Sequence, residues 1–171
     1  MNPAQRVAVT RTFLEIADPA DLRAPTRAPG REFELRRVSG GATSRHFYET
    51  IGEPYGWTDR LTWSDAQWER WAARVETRVI EVDGEAAGYF ELEPGRGVVT
   101  LAYLGLFEPY QGIGIGGHVL TAAIRRGFEL APRVQVNTGT LDGPHALANY
   151  EARGMRVIHR RSETQSLERP R

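Results

Sequence analysis

Apolar and polar residues alternate in several short segments of the chain, which is typical of β-strands with one buried face. Two of these segments are joined by Asp83-Gly84, and an Asp-Gly pair between strand-like runs indicates a tight hairpin. A further segment is apolar on both faces, which predicts a central strand. The pattern predicts strands at Thr10–Ile16, Phe33–Val38, Arg78–Val82, Ala86–Leu92, Val98–Leu106, Arg133–Thr138 and Met155–His159.

Helical signals stand between these strands. Ser64 with Gln67 three residues later forms a capping box, and the i,i+3 spacing of Trp68 and Trp71 predicts a helix face turned to the core. Other helices are predicted at Ser44–Ile51, from Val119 to about Leu130, and at Pro144–Arg153. This order predicts an α/β fold of the α+β type, with a mixed, mostly antiparallel sheet in a single domain over residues 1–171.

The segment from Gln111 to Gly117 is unusually rich in glycine. Four of its residues are Gly, directly after an apolar strand and directly before a helix. Each glycine in a helical turn costs on the order of 1 kcal/mol relative to alanine, so four of them indicate a close approach to the backbone. The free N–H groups of a helix N-terminus bind anions, and a diphosphate is the predicted ligand.

Composition removes several classes of function. Lys plus Arg and Asp plus Glu both total 22, so the net charge of zero argues against a nucleic-acid binder. The chain has no cysteine, and its four histidines lack metal-ligand spacing, so no metal site is expected. No apolar stretch reaches the roughly 20 residues of a membrane span. We therefore expect a cytoplasmic protein without a membrane partner.

Two motifs resemble those of the Gcn5-related N-acetyltransferase (GNAT) superfamily. Gln111-Gly112-Ile113-Gly114-Ile115-Gly116 fits the pyrophosphate loop Gln/Arg-x-x-Gly-x-Gly/Ala. About 35 residues on, the segment from Ala146 to Met155 resembles the signature Ala-x-x-Leu-Tyr-x-x-x-Gly-Phe. The resemblance implies a single GNAT-like domain whose twisted sheet splays at the cofactor site, with helices on both faces. It also implies an acceptor-side part over about 1–77 and an acetyl-CoA-binding core over about 78–160.

The resemblance also implies the residues that hold acetyl-CoA, which serves as co-substrate. The end of the strand before the loop would supply a backbone N–H to the thioester carbonyl, and the loop would hold the diphosphate. The implied coenzyme-binding residues are Leu104, Leu106, Phe107, Gln111, Gly112, Ile113, Gly114, Ile115, Gly116 and Gly117.

Acetyl transfer to an amine requires a neutral amine and a proton for the departing thiolate. Tyr150 of the second motif is the predicted general acid; alternatively, it only fills space between helix and sheet. Histone-type members carry a glutamate base where this chain has Thr100, so that base does not carry over. Glu91, which shares a strand face with Tyr89, is the candidate base that relays the proton through water, or else an outer carboxylate.

The acceptor site is predicted near Trp57 and Asp59, because an aromatic ring beside a carboxylate suits an ammonium group. Tyr89 is a further candidate substrate contact. The alternative is that Trp57 anchors the loop to the core while Asp59 and Arg60 pair locally. We predict direct transfer in a ternary complex to a primary amine of a small molecule, since no cysteine can carry the acyl group. A protein or peptide amine, or a non-catalytic acyl-CoA-binding sensor, is the alternative, and a homodimer stays open.

Overall fold

The computed structural model describes residues 5–168, which form one seven-stranded sheet with four α-helices. The strands are β1 (Arg6–Ile16), β2 (Glu34–Val38), β3 (Glu76–Val82), β4 (Glu85–Pro94), β5 (Val99–Leu106), β6 (Val134–Gly139) and β7 (Arg156–Ser166). The helices are α1 (Gly41–Gly52), α2 (Asp65–Arg74), α3 (Gly116–Leu130) and α4 (Ala146–Ala152). The predicted α/β architecture is confirmed.

Local signals explain most of these elements. The Ser64 side chain accepts from the Gln67 backbone N–H, and the Gln67 side chain accepts from the Ser64 N–H, so the capping box starts α2 as predicted. Asp83 and Gly84 both have positive φ, 53° and 79°, which is the geometry of a tight hairpin between β3 and β4. Among the described residues, no helix is both long and apolar enough to cross a membrane.

The two faces of the sheet carry different helices. On β4, Phe90 packs into the main core together with residues of α3, whereas Tyr89 stacks on Phe47 of α1 with ring centroids 5.0 Å apart. Trp68 and Trp71 of α2 are buried beside Tyr48 of α1, as their spacing predicted. Helices therefore cover both faces, and adjacent residues of a central strand face different cores.

The first strand does not lie beside the second. The sheet order is β2-β3-β4-β5-β6-β1-β7, which places β1 between β6 and β7 and antiparallel to both. β7 is longer than predicted, because its polar residues after His159 pair with β1 as far as Ser166. This long-range pairing leaves β7 as an exposed edge strand next to the site described below.

The sheet opens between its two parallel strands. β5 pairs with β6 only from Val99 to Leu101, although β5 continues to Leu106 and β6 to Gly139. At the same point Ala102 is an extra residue opposite β4, because Glu91 pairs with Tyr103 and Leu92 with Leu101. Such a bulge bends the strand that carries it. The splayed sheet that the resemblance implied is thereby confirmed.

Candidate active site

A cavity of about 600 Å³ lies where β5 and β6 separate. One wall comes from the end of β5, and another from α4 with Tyr150. The third wall comes from the loop that carries Trp57 and Asp59, and β1 and β7 complete the enclosure. The fold thus brings Trp57, Asp59, Leu104 and Tyr150, which were predicted from distant parts of the sequence, around one space.

The end of β5 presents backbone donors to this gap. The Phe107 N–H donates to Ala87 O at 2.8 Å, toward β4. Because backbone groups alternate in direction along a strand, the N–H groups of Leu104 and Leu106 face away from β4. The pairing with β6 has already ended at Leu101, so these two amides face the widening gap.

The glycine-rich loop connects β5 to α3. Gly112 and Gly114 have positive φ, 71° and 80°, which side chains rarely allow. A Cβ on Gly112 or Gly116 would meet no described atom within 4 Å, whereas one on Gly30 would lie 1.9 Å from Ile113 O. The loop is therefore clasped on one side by Gly30, whose N–H donates to Gly114 O, and open on the other.

The Gln111 side chain holds the loop in place through two hydrogen bonds. Its Nε2 donates to Leu106 O at 2.9 Å and to the Tyr55 hydroxyl at 3.1 Å. Those bonds fix the end of β5 relative to the start of the loop. Leu106, Phe107 and residues 111–117 lie beside the cavity and do not line it, so their predicted coenzyme contacts stay predictions.

The hydroxyl of Tyr150 has the environment of a proton donor. The ring is buried in the main core and the residue lines the cavity. No hydrogen bond joins its hydroxyl to another residue between positions 5 and 168. Burial, and secondarily the charge of Asp142, raises the pKa of Tyr150, so the phenol stays protonated at neutral pH. Its role as an acid stays a prediction.

Aromatic rings and the Asp59 carboxylate line the part of the cavity where the acceptor amine is predicted to bind. Trp57 and Tyr103 contact each other with centroids 4.8 Å apart, and the Trp57 Nε1 donates to Asp142. Asp59 is 71% exposed and accepts a 2.6 Å hydrogen bond from the Tyr48 hydroxyl. The Arg60 guanidinium stacks 3.8 Å from the centroid of the Trp71 ring and lies under this wall. Asp59 also lies 3.8 Å from Arg60 Nε, so it is an exposed carboxylate with one cationic neighbour beside an aromatic surface.

Glu91 and Tyr89 lie behind the cavity wall. The Glu91 carboxylate is 1% exposed and accepts from Trp71 Nε1 at 2.6 Å and Thr77 Oγ1 at 3.2 Å. Burial raises its pKa, although hydrogen bonds and the Arg60 charge oppose the shift. The buried Tyr89 hydroxyl has no partner within the described chain. Neither residue lines the cavity, so Glu91 can receive a substrate proton only through an intermediate group.

Several cavity residues had no signal in the sequence. Arg11 of β1 donates to Glu163 of β7 at 2.6 Å and to Asn137 of β6 at 2.9 Å, and all three residues line the cavity. They meet only because β1 inserts between β6 and β7, which local patterns do not indicate. Over residues 5–168, no group of three His, Asp or Glu side chains is placed to hold a metal ion.

The profile of the Acetyltransferase (GNAT) family matches residues 39–155, which contain the glycine-rich loop, Glu91 and Tyr150. Since this match spans more than half of the chain, the chain belongs to the GNAT acetyltransferase family. A search of curated proteins found no match.

Solved structures show the same fold at low identity. A GCN5-related N-acetyltransferase from Kribbella flavida has a TM-score of 0.63 at 19% identity, over 93% of this chain and 58% of its own. A GCN5-related N-acetyltransferase from Sphaerobacter thermophilus has a TM-score of 0.63 at 20% identity, over 98% of this chain and 54% of its own. A Bacillus subtilis acetyltransferase solved in complex with CoA has a TM-score of 0.58 at 20% identity, over 75% of this chain and 79% of its own. The chain thus spans little more than half the length of the first two proteins.

Proposed function

We propose that this protein transfers an acetyl group from acetyl-CoA to the primary amine of a small molecule. The observation that carries the proposal is the convergence, at one cavity, of the unpaired end of β5, the Tyr150 hydroxyl and the aromatic wall with Asp59. A concave, aromatic-lined space suits a small amine better than a protein surface. Family membership supports the acyl donor.

The coenzyme would lie along the open side of the glycine loop. The backbone around Gly112 and Gly116 has room for a diphosphate, and α3 directs its positive dipole end there. The Leu104 and Leu106 N–H groups are the proposed donors to the thioester carbonyl oxygen. Charge grows on that oxygen in the transition state, so donors fixed there lower the barrier.

The chemistry uses the Tyr150 hydroxyl in the cavity wall and a base behind that wall. The amine nitrogen attacks the carbonyl carbon, the new N–C bond forms, and the C–S bond breaks. Before the attack, a substrate that binds as an ammonium ion loses one proton to a base, which frees its lone pair. Tyr150 donates its proton to the departing sulfur, which leaves as free thiol, and the acylated nitrogen loses its second proton, which restores Tyr150. The sequence holds no cysteine, and direct transfer from thioester to amine needs no covalent acyl-enzyme.

Asp59 is proposed to bind the substrate as an ammonium ion. Glu91 is proposed to take the proton that this ammonium loses before the attack. Tyr103 is the proposed intermediate, because it lines the cavity and is paired in register with Glu91. Burial, then the charges of Asp59 and Glu91, raises the pKa of Tyr103, so its phenol stays protonated and can pass a proton along. The raised pKa of Glu91 makes it a better proton acceptor than a solvated carboxylate.

Incubation with acetyl-CoA and a panel of small amines and lysine peptides tests the proposal. We expect thiol release that depends on a small amine, with the acetylated product identified by mass spectrometry. Acetylation of peptides alone would contradict the small-molecule assignment. Binding of CoA by calorimetry without turnover on any amine would indicate a sensor instead.

Asp59→Asn tests the acceptor side. We expect KM for the amine to rise about tenfold or more with KM for acetyl-CoA unchanged, because a charge-assisted contact is worth roughly 1.5–3 kcal/mol. Asp65→Asn, an exposed carboxylate on α2 outside the cavity, is the matched control. An equal rise in both KM values would contradict the proposed role of Asp59.

A further inference from the structure

Arg153 stands at the end of α4, and its backbone is fixed from two sides. Its N–H donates to Asn149 O and Tyr150 O at 3.2 Å, which ends the helix. Its carbonyl oxygen accepts from the Arg23 N–H at 3.0 Å, in the segment that connects β1 to β2. The side chain therefore starts from a rigid position directly behind the Tyr150 motif.

The guanidinium of Arg153 lies against the first turn of α3. A Cβ on Gly117 would be 2.8 Å from Arg153 Nη1, so the guanidinium occupies the space that a side chain at Gly117 would enter. Its Nε is enclosed and has no acceptor within the described residues. Burial lowers the pKa of Arg153, and no acidic group offsets the shift. Arg153 Nε has thus lost hydration without gaining a partner in the described chain.

Over residues 5–168, the helix start beside Arg153 supplies backbone donors and no acidic side chain. The first intrahelical hydrogen bond of α3 runs from Val119 N to Ile115 O, so the amides of residues 116–118 precede it. Ile115 provides no side-chain cap, and the first turn of α3 has no acidic residue. A guanidinium beside the positive end of a helix is unfavourable unless an anion lies between them.

Other arginines in paired or clustered positions differ from Arg153. Arg126 donates through both Nε and Nη2 to Glu76, and Arg161 is paired with Glu163. Arg156 is 80% exposed and lies 3.8 Å from Asp21. Arg153 alone among these four is enclosed at the glycine loop without a carboxylate in the described chain.

We propose that Arg153 binds the coenzyme's diphosphate from the side, opposite the amides of the first turn of α3. This inference rests on the proposed coenzyme site and adds a residue to it. It also gives Gly117 a purpose distinct from that of Gly116: Gly117 leaves room for the guanidinium, and Gly116 leaves room for the phosphate oxygens.

The test is isothermal titration calorimetry of CoA and 3′-dephospho-CoA with the wild type, Arg153→Gln, Arg153→Lys and Arg156→Gln. Arg156→Gln is the matched control, because it removes the same charge three residues away. We expect Arg153→Gln to weaken both ligands at least tenfold, Arg153→Lys to weaken them less, and Arg156→Gln to change neither more than twofold. The salt dependence of Kd should also be shallower for Arg153→Gln.

Each other outcome overturns the inference. A loss confined to CoA would move the contact to the 3′-phosphate, and equal affinities of Arg153→Gln and Arg156→Gln would remove the contact altogether. Both would leave the coenzyme site standing, since the wild type still binds. Failure of the wild type to bind either ligand would overturn the proposed function together with this inference. Arg153→Lys keeps the charge and the stem, so it carries the test if Arg153→Gln is unstable.

Discussion

At the scale of single residues, the site separates groups that are free to act from groups that are already satisfied. The Tyr150 hydroxyl lines the cavity without a partner in the described chain. The Gln111 side-chain amide, in contrast, already donates hydrogen bonds to Leu106 O and the Tyr55 hydroxyl. Glu91 is the intermediate case, because Trp71 and Thr77 hold its carboxylate while burial raises its pKa. The sequence could predict these residue types, but not which of them were already bonded.

Tyr150→Phe removes the proposed acid and leaves the ring that packs in the core. We expect kcat to fall about 100-fold, a typical loss for one acid–base group, with Kd for CoA within twofold of wild type. Steady-state kinetics and calorimetry measure the two. Tyr110→Phe is the control, because the Tyr110 hydroxyl donates to Glu85 outside the cavity, and it should change neither value. A parallel loss of kcat and CoA affinity would make Tyr150 a packing residue.

Glu91→Gln tests the proposed base through its pH profile. Ionised Glu91 accepts the proton, so wild-type kcat should fall as pH drops through its raised pKa. The Glu91→Gln variant should have a low kcat at all pH values, without the fall at low pH. A raised folded-state pKa also means that stability falls as pH rises above the ordinary carboxylate pKa. The Tm of Glu91→Gln at neutral pH should therefore equal or exceed that of wild type. If kcat of the variant still falls at low pH, a group other than Glu91 causes that fall.

At the scale of elements, the signals that predicted structure correctly were local ones. Three of these signals act within a few residues, so the sequence alone predicts them: the Asp83-Gly84 hairpin, the capping box of α2 and the glycine loop. The length of β7 could not be predicted from the sequence, because its exposed polar residues are in a strand only through their pairing with β1. Arg11 and Glu163 line the cavity for the same reason, and no local pattern marks either one.

Two glycines at the start of α3 and in its clasp give a paired test. Gly116→Ala meets open space, so Tm should stay level or rise by removal of a helical glycine, while CoA affinity falls at least tenfold. Gly30→Ala places a Cβ 1.9 Å from Ile113 O, so Tm itself should fall. Calorimetry and thermal melts separate the two effects. Unchanged CoA affinity in Gly116→Ala would contradict the diphosphate site.

At the scale of the whole molecule, one buried ion cluster joins the sheet to α3. Glu76 of β3 is 6% exposed and accepts from Arg126 of α3 at 2.8 and 2.9 Å and from Arg78 at 2.9 Å. The Arg126 hydrogen bonds, with Arg78 second, lower the pKa of Glu76 to about 2 against the opposing effect of burial. Because a depressed carboxylate pKa stabilises the fold only when the group is ionised, this contribution disappears in acid.

We therefore expect Glu76→Gln to lower the free energy of unfolding at pH 7 by about 3 kcal/mol. The difference from wild type should shrink as pH falls from about 4.5 toward 2, measured by urea denaturation across that range. Glu129→Gln removes a solvent-exposed carboxylate from the same Arg126 and should cost less than about 0.5 kcal/mol. A pH-independent difference would assign the loss to packing.

The insertion of β1 between β6 and β7 has a consequence for how the chain matures during translation. Arg11 and its bonding partner Asn137 are 126 positions apart, so β1 has no sheet neighbour until β6 and β7 have been synthesised. Until then both of its edges are bare, and bare strand edges attract foreign strands. Nascent chains halted before Val134 should consequently recruit chaperones far more than the finished polypeptide does.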